Sequence, residues 1–171
     1  MTDAVLCVDI GTSSLKAAYI SLKGVVIAFA RISIEKANEM LGYQYSISGT
    51  VVHGLQNGRK MGFPTANLGP YCDLMQIPAN GVYAAIATVE GKSYPAMLNI
   101  GFRPTFNGEG NRTIEAHIID FSKDIYFQPL TLQFVSYIRA EKRFCSPSEL
   151  ALQLAKDKET AREIIKSKIE L

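Results

Sequence analysis

The sequence predicts a mainly β protein in which a small, closed or nearly closed antiparallel barrel packs against a C-terminal helix. Short apolar runs alternate with polar residues over most of the chain after residue 45. Proline and glycine mark turns between these runs, as at Pro70, Pro78 and Gly81. Near the end, Ser146-Pro147-Ser148-Glu149 has the pattern of a helix N-terminus. Many short strands with polar turns favour a barrel.

The first 31 residues have the pattern of a separate β-structure. We expect strands over residues 4–10, 15–22 and 25–31, with a turn at Lys23-Gly24. Such strands form a hairpin or a three-stranded extension whose edge needs covering. Either the barrel or a second copy of the chain could cover it, so the sequence leaves open a homodimer through these strands.

One motif in this extension has a second interpretation. Asp9-Ile10-Gly11-Thr12-Ser13 lies between two of the expected strands and resembles the first phosphate-binding hairpin of FGGY-type carbohydrate kinases. Those kinases build their nucleotide cleft from two large domains, and nothing later in this chain supplies them. We therefore expect a structural role for Asp9, Thr12 and Ser13.

The stretch over residues 49–68 joins a short β-prone run to a glycine-rich loop. Glycines at this loop, Gly54, Gly58 and Gly62, permit φ > 0 and close approach of a ligand. Exposed backbone N–H groups in such a loop can cradle phosphate oxygens, and Arg59 adds positive charge. The loop is therefore a candidate phosphate-binding site. The simpler alternative is a hairpin loop without a ligand.

Thr65 and Asn67 close this stretch and are candidate metal ligands. If the strand continues, residues two apart point to the same side. A hydroxyl and an amide oxygen are neutral ligands suited to Mg²⁺. Since no carboxylate joins them, the phosphates of a nucleotide would have to supply the negative charge.

The following segment has the pattern of barrel strands. Runs at 82–89 and 93–100 flank Glu90-Gly91-Lys92 and predict a hairpin. Residues 102–112 have the composition of a long, mobile loop, and 130–138 is a further strand. The run 113–119 alternates, with one face that carries Ile114, Ala116 and Ile118 and another that carries Thr113, Glu115 and His117.

The C-terminal helix is expected to start at the capping box, with Pro147 at the first helical position. Two sets of apolar residues form its stripe: Leu150 and Leu154, four apart, and then, after a second turn that begins near Asp157, Ala161, Ile165 and Ile169, again four apart. We expect this stripe to pack across the barrel mouth.

Composition excludes several classes of protein. With 171 residues, 47% hydrophobic and 20% charged, the chain has the make-up of one globular domain with a core. A net charge of +2 is too small to indicate nucleic acid or an anionic membrane as a partner. Its three scattered cysteines form no disulfide or zinc pattern. No apolar run approaches the roughly 20 residues of a membrane span, and the start lacks a basic signal region, so we expect a cytoplasmic protein.

Five motifs follow one another between residues 34 and 165. They are the Gly-x-Val-Val-x-Gly…Gly-Arg…Gly-Phe-Pro-Thr-Ala-Asn-Leu pattern of residues 49–68, Gly81-Val82-Tyr83, and residues 99–106, 115–121 and 138–144. In order and spacing they resemble the riboflavin kinase family, in particular the kinase module of the bacterial bifunctional riboflavin kinase/FAD synthetase. This resemblance implies a Greek-key barrel that transfers phosphate from ATP to the riboflavin 5′-hydroxyl, giving FMN and ADP.

The resemblance also implies roles for the candidate residues. The glycine loop would fold over the ATP phosphates, and Thr65 and Asn67 would hold Mg²⁺ with them. Glu115 matches the family's base, which takes the proton from the ribityl hydroxyl. From the residues alone, a strand glutamate in solvent or paired with Arg103 or Arg112 is the simpler interpretation. His117 is expected to be a structural or rim residue.

Flavin binding is implied for Asn99, Arg139 and Phe144. The ring would lie between the 102–112 loop and the 139–144 segment, because arginine can stack on a flat ring and phenylalanine offers an aromatic wall. The alternatives are a turn-forming asparagine, a surface charge and a side chain that anchors the helix.

Residues 34–42 resemble the linker helix that leads into the kinase module. We therefore expect an extension over 1–33 and a riboflavin kinase domain over 34–171. The adenylyltransferase part of the bifunctional proteins has a His-x-Gly-His type motif that is missing here, so we expect no FAD synthesis. Two other classes stay open: a flavin- or nucleotide-binding module without turnover, and a structural fragment that dimerises through its N-terminal strands.

Overall fold

The computed structural model describes residues 4–10, 15–23, 26–54, 57–72, 76–103 and 111–168. The elements in these ranges are β1 (Ala4–Ile10), β2 (Leu15–Ser21), β3 (Val26–Ile32), α1 (Ile34–Leu41), β4 (Ser46–Val52), α2 (Asn57–Lys60), β5 (Ala66–Pro70), β6 (Gly81–Val89), β7 (Lys92–Arg103), β8 (Asn111–Ile118), β9 (Pro129–Arg139) and α3 (Pro147–Lys168). No helix in the described ranges is both long and apolar enough to cross a membrane.

The three N-terminal strands form an antiparallel sheet of their own, in the order β1-β2-β3. Its register runs from Ala4 opposite Ser21 to Ile10 opposite Leu15, and β3 pairs with the other side of β2. The expected three-stranded extension is therefore confirmed. Residues 11–14, which hold most of the motif that resembles a sugar-kinase hairpin, lie outside the described residues.

The remaining six strands close into an antiparallel barrel in the order β4-β5-β8-β7-β6-β9. Strands β6, β7 and β8 are sequential neighbours, and β9 returns to lie beside β6, which is the Greek-key arrangement. The predicted hairpin between β6 and β7 turns at Glu90 and Gly91, with φ of 50° and 72°. Two consecutive positive φ values suit the tight hairpin turns that match strand twist. The predicted fold class is confirmed.

The apolar residues of the barrel form two layers. Side chains such as Leu98, Ala116 and Phe134 face the interior, where they form the main core cluster. Their neighbours Met97 and Val135 face outward and pack against Ala161 and Ile165 of α3. The expectation that α3 lies across the barrel mouth is wrong, because α3 covers the outer wall of β6, β7 and β9. The physical reason is that β6 is apolar on both faces, and its outer face also needs burial.

Helix α1 is an integral part of the barrel. Ser33 caps its N-terminus by accepting from the Lys36 N–H at 3.3 Å. Ile34 and Ala37 join the main core cluster. Asn38 donates to the Phe134 carbonyl at 2.7 Å, which ties the helix to β9. The helix thus satisfies a backbone group of the barrel as well as filling its core.

Candidate active site

A row of three polar residues crosses the outer face of three neighbouring strands. Glu115 on β8 lies directly opposite Asn67 on β5 and opposite Asn99 on β7. Residues directly opposite one another share a face of the sheet. The alternating neighbours Ile114 and Ala116 point into the core, as the sequence pattern predicts. The barrel closure therefore brings together three of the sequence-predicted site residues.

Thr65 joins this row from the end of the glycine loop. Strand β5 begins one residue later, at Ala66, yet the Thr65 hydroxyl still donates to Glu115 Oε2 at 3.4 Å. Arg112, one alternative partner considered for Glu115, instead donates to Asn80 Oδ1 at 2.8 Å and to the carbonyls of Ile77 and Pro78. Glu115 is half-buried beside a hydroxyl, and the Arg112 guanidinium is used elsewhere.

The glycine loop turns back on itself through α2. The Phe63 N–H donates to the Gly58 carbonyl at 2.8 Å, and Gly62 has a φ of 82°, so a glycine suits that position. Gly54 has a different use, because a Cβ there would overlap the side-chain amide of Asn67. Asn67 is only 8% exposed. The loop thus packs directly on the polar row, and Arg59 is exposed on it.

Two cavities meet at Thr65. The barrel-mouth cavity, about 210 Å³, reaches core residues such as Val51 and Ala116 and is bordered by Arg59, Lys123 and Tyr126. The helix-side cavity, about 340 Å³, lies on the outer face and includes Asn99, Glu115 and Arg139. Thr65 lines both cavities.

The helix-side cavity has apolar and aromatic walls with cations at one side. Phe63 and Met61 of the glycine loop line it together with Leu150 and Leu154 of α3. Phe144 also lines it, with the Arg139 Cζ 5.8 Å and the Lys142 Nζ 5.4 Å from its ring centroid. The lining also includes the carboxylates of Glu115 and Glu141. A cavity with aromatic and apolar walls and polar groups along one part suits an aromatic ligand with a polar chain.

The 102–112 loop, expected to form one wall of the flavin site, stays a prediction. Residues 104–110 of the expected loop lie outside the described residues, and its described ends, Phe102 and Arg112, do not line the cavity. Strand β7 continues to Arg103 and β8 begins at Asn111, so both described ends of the expected loop are strand residues. Phe63, Leu150 and Leu154 were missed as wall residues, since a helical stripe of leucines is more often core packing.

His117 ties the glycine loop to β8. Its Nδ1 lies 2.9 Å from the Pro64 carbonyl, which can only accept, so Nδ1 carries the proton. The Phe63 ring meets the imidazole edge-on at 5.4 Å. Burial lowers the pKa of His117, which is 5% exposed. A neutral, buried imidazole bonded to backbone fits the structural role expected of it.

The side chains around Thr65 include donors that suit a divalent cation. The Thr65 hydroxyl contacts the Glu115 carboxylate, and Asn67 lies opposite Glu115 on the neighbouring strand. Neutral oxygens beside one carboxylate suit a hard cation such as Mg²⁺ with phosphates as its other ligands. Within the described ranges, no group of three or more His, Cys, Asp or Glu residues is arranged to hold a metal by itself. The residues therefore fit a metal that arrives with a nucleotide.

Comparisons with known proteins identify the family and relatives of this chain. The Flavokinase family model, described as riboflavin kinase, matches residues 41–165. A bifunctional riboflavin kinase/FMN adenylyltransferase from Listeria monocytogenes is 37% identical over 143 residues, which are 84% of this chain and 45% of the relative. The chain thus spans about half the length of the relatives it matches.

Two crystal structures share the fold. A riboflavin kinase from Trypanosoma brucei is 26% identical, with a TM-score of 0.52 over 74% of this chain and 81% of the other. A structure described as a macrolide-efflux protein from Streptococcus pneumoniae is 35% identical, with a TM-score of 0.68 over 75% of this chain and 42% of the other.

Proposed function

The chain belongs to the riboflavin kinase family, and on that premise we propose that it transfers the terminal phosphate of ATP to the 5′-hydroxyl of riboflavin, giving FMN and ADP. The observation that carries the proposal is the polar row of Asn67, Glu115 and Asn99, which lies beside Thr65 at the junction of two cavities. Phosphoryl transfer needs donor and acceptor held in line, with charge stabilised between them.

ATP is proposed to occupy the barrel-mouth cavity. Arg59 borders it and supplies positive charge for phosphates, and Tyr126 offers an aromatic face for a base. Lys123 also borders it, and its ammonium pairs with Glu90 at 3.0 Å. Gly54 brings the loop backbone against Asn67 of the polar row, Gly58 lies beside Thr65, and Gly62 provides the positive φ of the turn. Bound there with the nucleotide, Mg²⁺ would neutralise phosphate charge, and Thr65 and Asn67 are the residues that would hold it.

Riboflavin is proposed to occupy the helix-side cavity. Its tricyclic ring fits between Phe63 and the α3 leucines, with Phe144 and the Arg139 guanidinium at the side. The ribityl chain would then run along the strand face to Glu115, with Asn99 as a polar support next to the hydroxyl. This arrangement places an alcohol acceptor beside a half-buried carboxylate.

Glu115 is the proposed general base. As a carboxylate it can accept the proton of the 5′-hydroxyl while the oxygen attacks the terminal phosphorus of ATP, and the bond from that phosphorus to the bridging oxygen of ADP breaks. The Thr65 hydroxyl, 3.4 Å from Glu115 Oε2, keeps the carboxylate directed to the junction of the cavities.

The absence of FAD synthesis, the bounds of the kinase domain, the cellular location and the oligomeric state are also proposals. We infer that residues 1–171 make no FAD, because the chain lacks a His-x-Gly-His motif and spans about half of its bifunctional relatives. We place the kinase domain at 34–171, since α1 packs into the barrel core and its cap is Ser33. We also propose that the protein is cytoplasmic and that it forms a homodimer through its N-terminal sheet.

The direct test is conversion of riboflavin with ATP and Mg²⁺, with products separated by chromatography. FMN without FAD is the expected result. Binding of riboflavin or ATP without FMN formation would contradict the kinase proposal and favour a binding module, and formation of FAD would contradict the proposed limit.

A further inference from the structure

Arg139 is held by a carboxylate that does not line the cavity. Its Nε donates to both carboxylate oxygens of Asp157 at 3.0 Å, and its Nη2 donates to Oδ2 at 2.6 Å. Asp157 lies on α3 and is 1% exposed. Bidentate contacts of this kind restrict the guanidinium to one plane.

The carboxylate itself is fixed from within the helix. Gln153, one turn earlier on α3, donates to Asp157 Oδ1 at 2.8 Å. At the other end of the arginine, Nη1 donates to the Ala140 carbonyl at 2.9 Å. The orientation of the guanidinium is therefore set before any ligand binds.

This arrangement leaves a defined part of Arg139 for a ligand. Among the described residues, these contacts use one N–H on each guanidinium nitrogen, which leaves a second N–H on Nη1 and on Nη2. The guanidinium carbon is 5.8 Å from the Phe144 ring, and both side chains line the helix-side cavity. A flat ligand with carbonyl acceptors would thus meet a cation and a ring already in place.

We propose that Asp157 is a positioning residue for flavin binding, which acts by holding the Arg139 guanidinium against the helix-side cavity. The inference rests on the proposed function for the identity of the ligand. Its physical basis is that a guanidinium already oriented by α3 loses less side-chain entropy when it engages a flat ring. Burial of Asp157 away from the cavity excludes direct contact with a ligand bound there.

The test measures riboflavin binding to the full chain without ATP, by quenching of flavin fluorescence. Asp157→Asn keeps the shape of the side chain and removes its charge. We expect it to weaken riboflavin binding about tenfold, with ATP binding unchanged. Asp120→Asn is the matched control, because Asp120 also pairs with α3, through Arg162 at 3.2 Å, but does not line either cavity. Riboflavin affinity in the control should stay within twofold of the parent.

A double-mutant cycle separates positioning from mere anchoring of α3. In an Arg139→Gln background, Asp157→Asn should add no further loss of riboflavin affinity. An equal loss in both backgrounds, or no loss in the single variant, would overturn the proposal. If Asp157→Asn does not fold, Gln153→Ala provides the same cycle with an expected loss of two- to threefold, and additivity with Arg139→Gln would again overturn the proposal.

The outcomes also separate this inference from the proposed function. If the double-mutant cycle gives the expected riboflavin affinities but no FMN forms, the kinase activity is refuted and the role of Asp157 is retained. Absence of riboflavin binding in the parent chain would overturn both.

Discussion

The Thr65 hydroxyl donates to the Glu115 carboxylate at 3.4 Å, across 50 residues of sequence. Thr65 lines both cavities and Glu115 lines one, so this contact lies where the proposed nucleotide and flavin sites meet. The metal-binding and base functions proposed for the two side chains therefore belong to a single cluster, and they can be perturbed separately by mutation.

Replacing Glu115 with glutamine should remove the proposed base and keep the shape of the side chain. We expect the turnover number for FMN formation to fall by about 10²–10⁴, with riboflavin affinity within a few-fold of the parent. Steady-state kinetics and fluorescence binding would measure the two quantities. Glu163→Gln, at an exposed position of α3, is the matched control. Near-normal turnover in Glu115→Gln would exclude Glu115 as the base.

A Gly54→Ala change should displace Asn67, because the new Cβ would overlap its side-chain amide. We expect the Mg²⁺ concentration required for half-maximal activity to rise several-fold, with a higher KM for ATP. Gly91→Ala is the control, since it strains a positive-φ turn that lines neither cavity. Equal effects of the two variants on the Mg²⁺ requirement would show that only general stability changed.

Phe144→Ala should raise the KM for riboflavin about three- to tenfold and leave the KM for ATP unchanged. The reason is the loss of one aromatic wall of the helix-side cavity, where such ring contacts are worth about 0.5–1.5 kcal/mol. Tyr71→Ala removes an exposed ring that lines neither cavity and serves as the control. A rise in KM for ATP alone would place the ring of riboflavin elsewhere.

Because of Glu35, the free energy of unfolding should depend on pH in the acid range. Its Oε1 accepts from Ser136 Oγ at 2.5 Å and from the Tyr137 N–H at 2.8 Å. Burial alone would raise the pKa of Glu35, but the hydrogen bonds from Ser136, Ser33 and the backbone outweigh it and lower the pKa below its ordinary value of 4.5. Because the pKa of Glu35 is lower in the folded than in the unfolded state, its ionised carboxylate stabilises the folded state above pH 4.5. This contribution is lost as the pH falls from 4.5 through the lowered pKa.

Glu35→Gln should therefore reduce the free energy of unfolding by about 1 kcal/mol at neutral pH. The difference from the parent should shrink as the pH falls from 5 to roughly 3, since the parent carboxylate becomes protonated. Urea denaturation at several pH values measures this, with Glu39→Gln on the exposed side of α1 as the control. A difference that is constant with pH would contradict the role of the charge.

A chain that begins at Ser33 should keep its kinase activity, because the barrel, α1 and both cavities lie after that residue. Size-exclusion chromatography of the shortened and full chains tests the proposed dimer. The full chain should elute as a dimer and the shortened chain as a monomer. An unchanged oligomeric state would exclude the N-terminal sheet as the interface.

A chain that begins after α1 should lose stability, since Ile34 and Ala37 leave the core.

Local patterns were sufficient for many features of this protein. The β6–β7 hairpin, the alternation in β8, the Ser146 cap and the glycine loop all follow from residue preferences over a few positions. The candidate residues Glu115, Thr65 and Asn67 also came from the sequence, through spacing and family resemblance, and the structure brings them together.

Tertiary structure alone decided how these parts face one another. Strand register placed Asn67, Glu115 and Asn99 in one row, and register depends on pairing between residues far apart in the chain. Helix α3 packs on the barrel wall because the outer face of β6 is apolar. As a result, Leu150 and Leu154 line a cavity, and Asp157 contacts Arg139. A helical stripe shows that a face will be buried, whereas the partner that buries it is set by the packing of the whole fold.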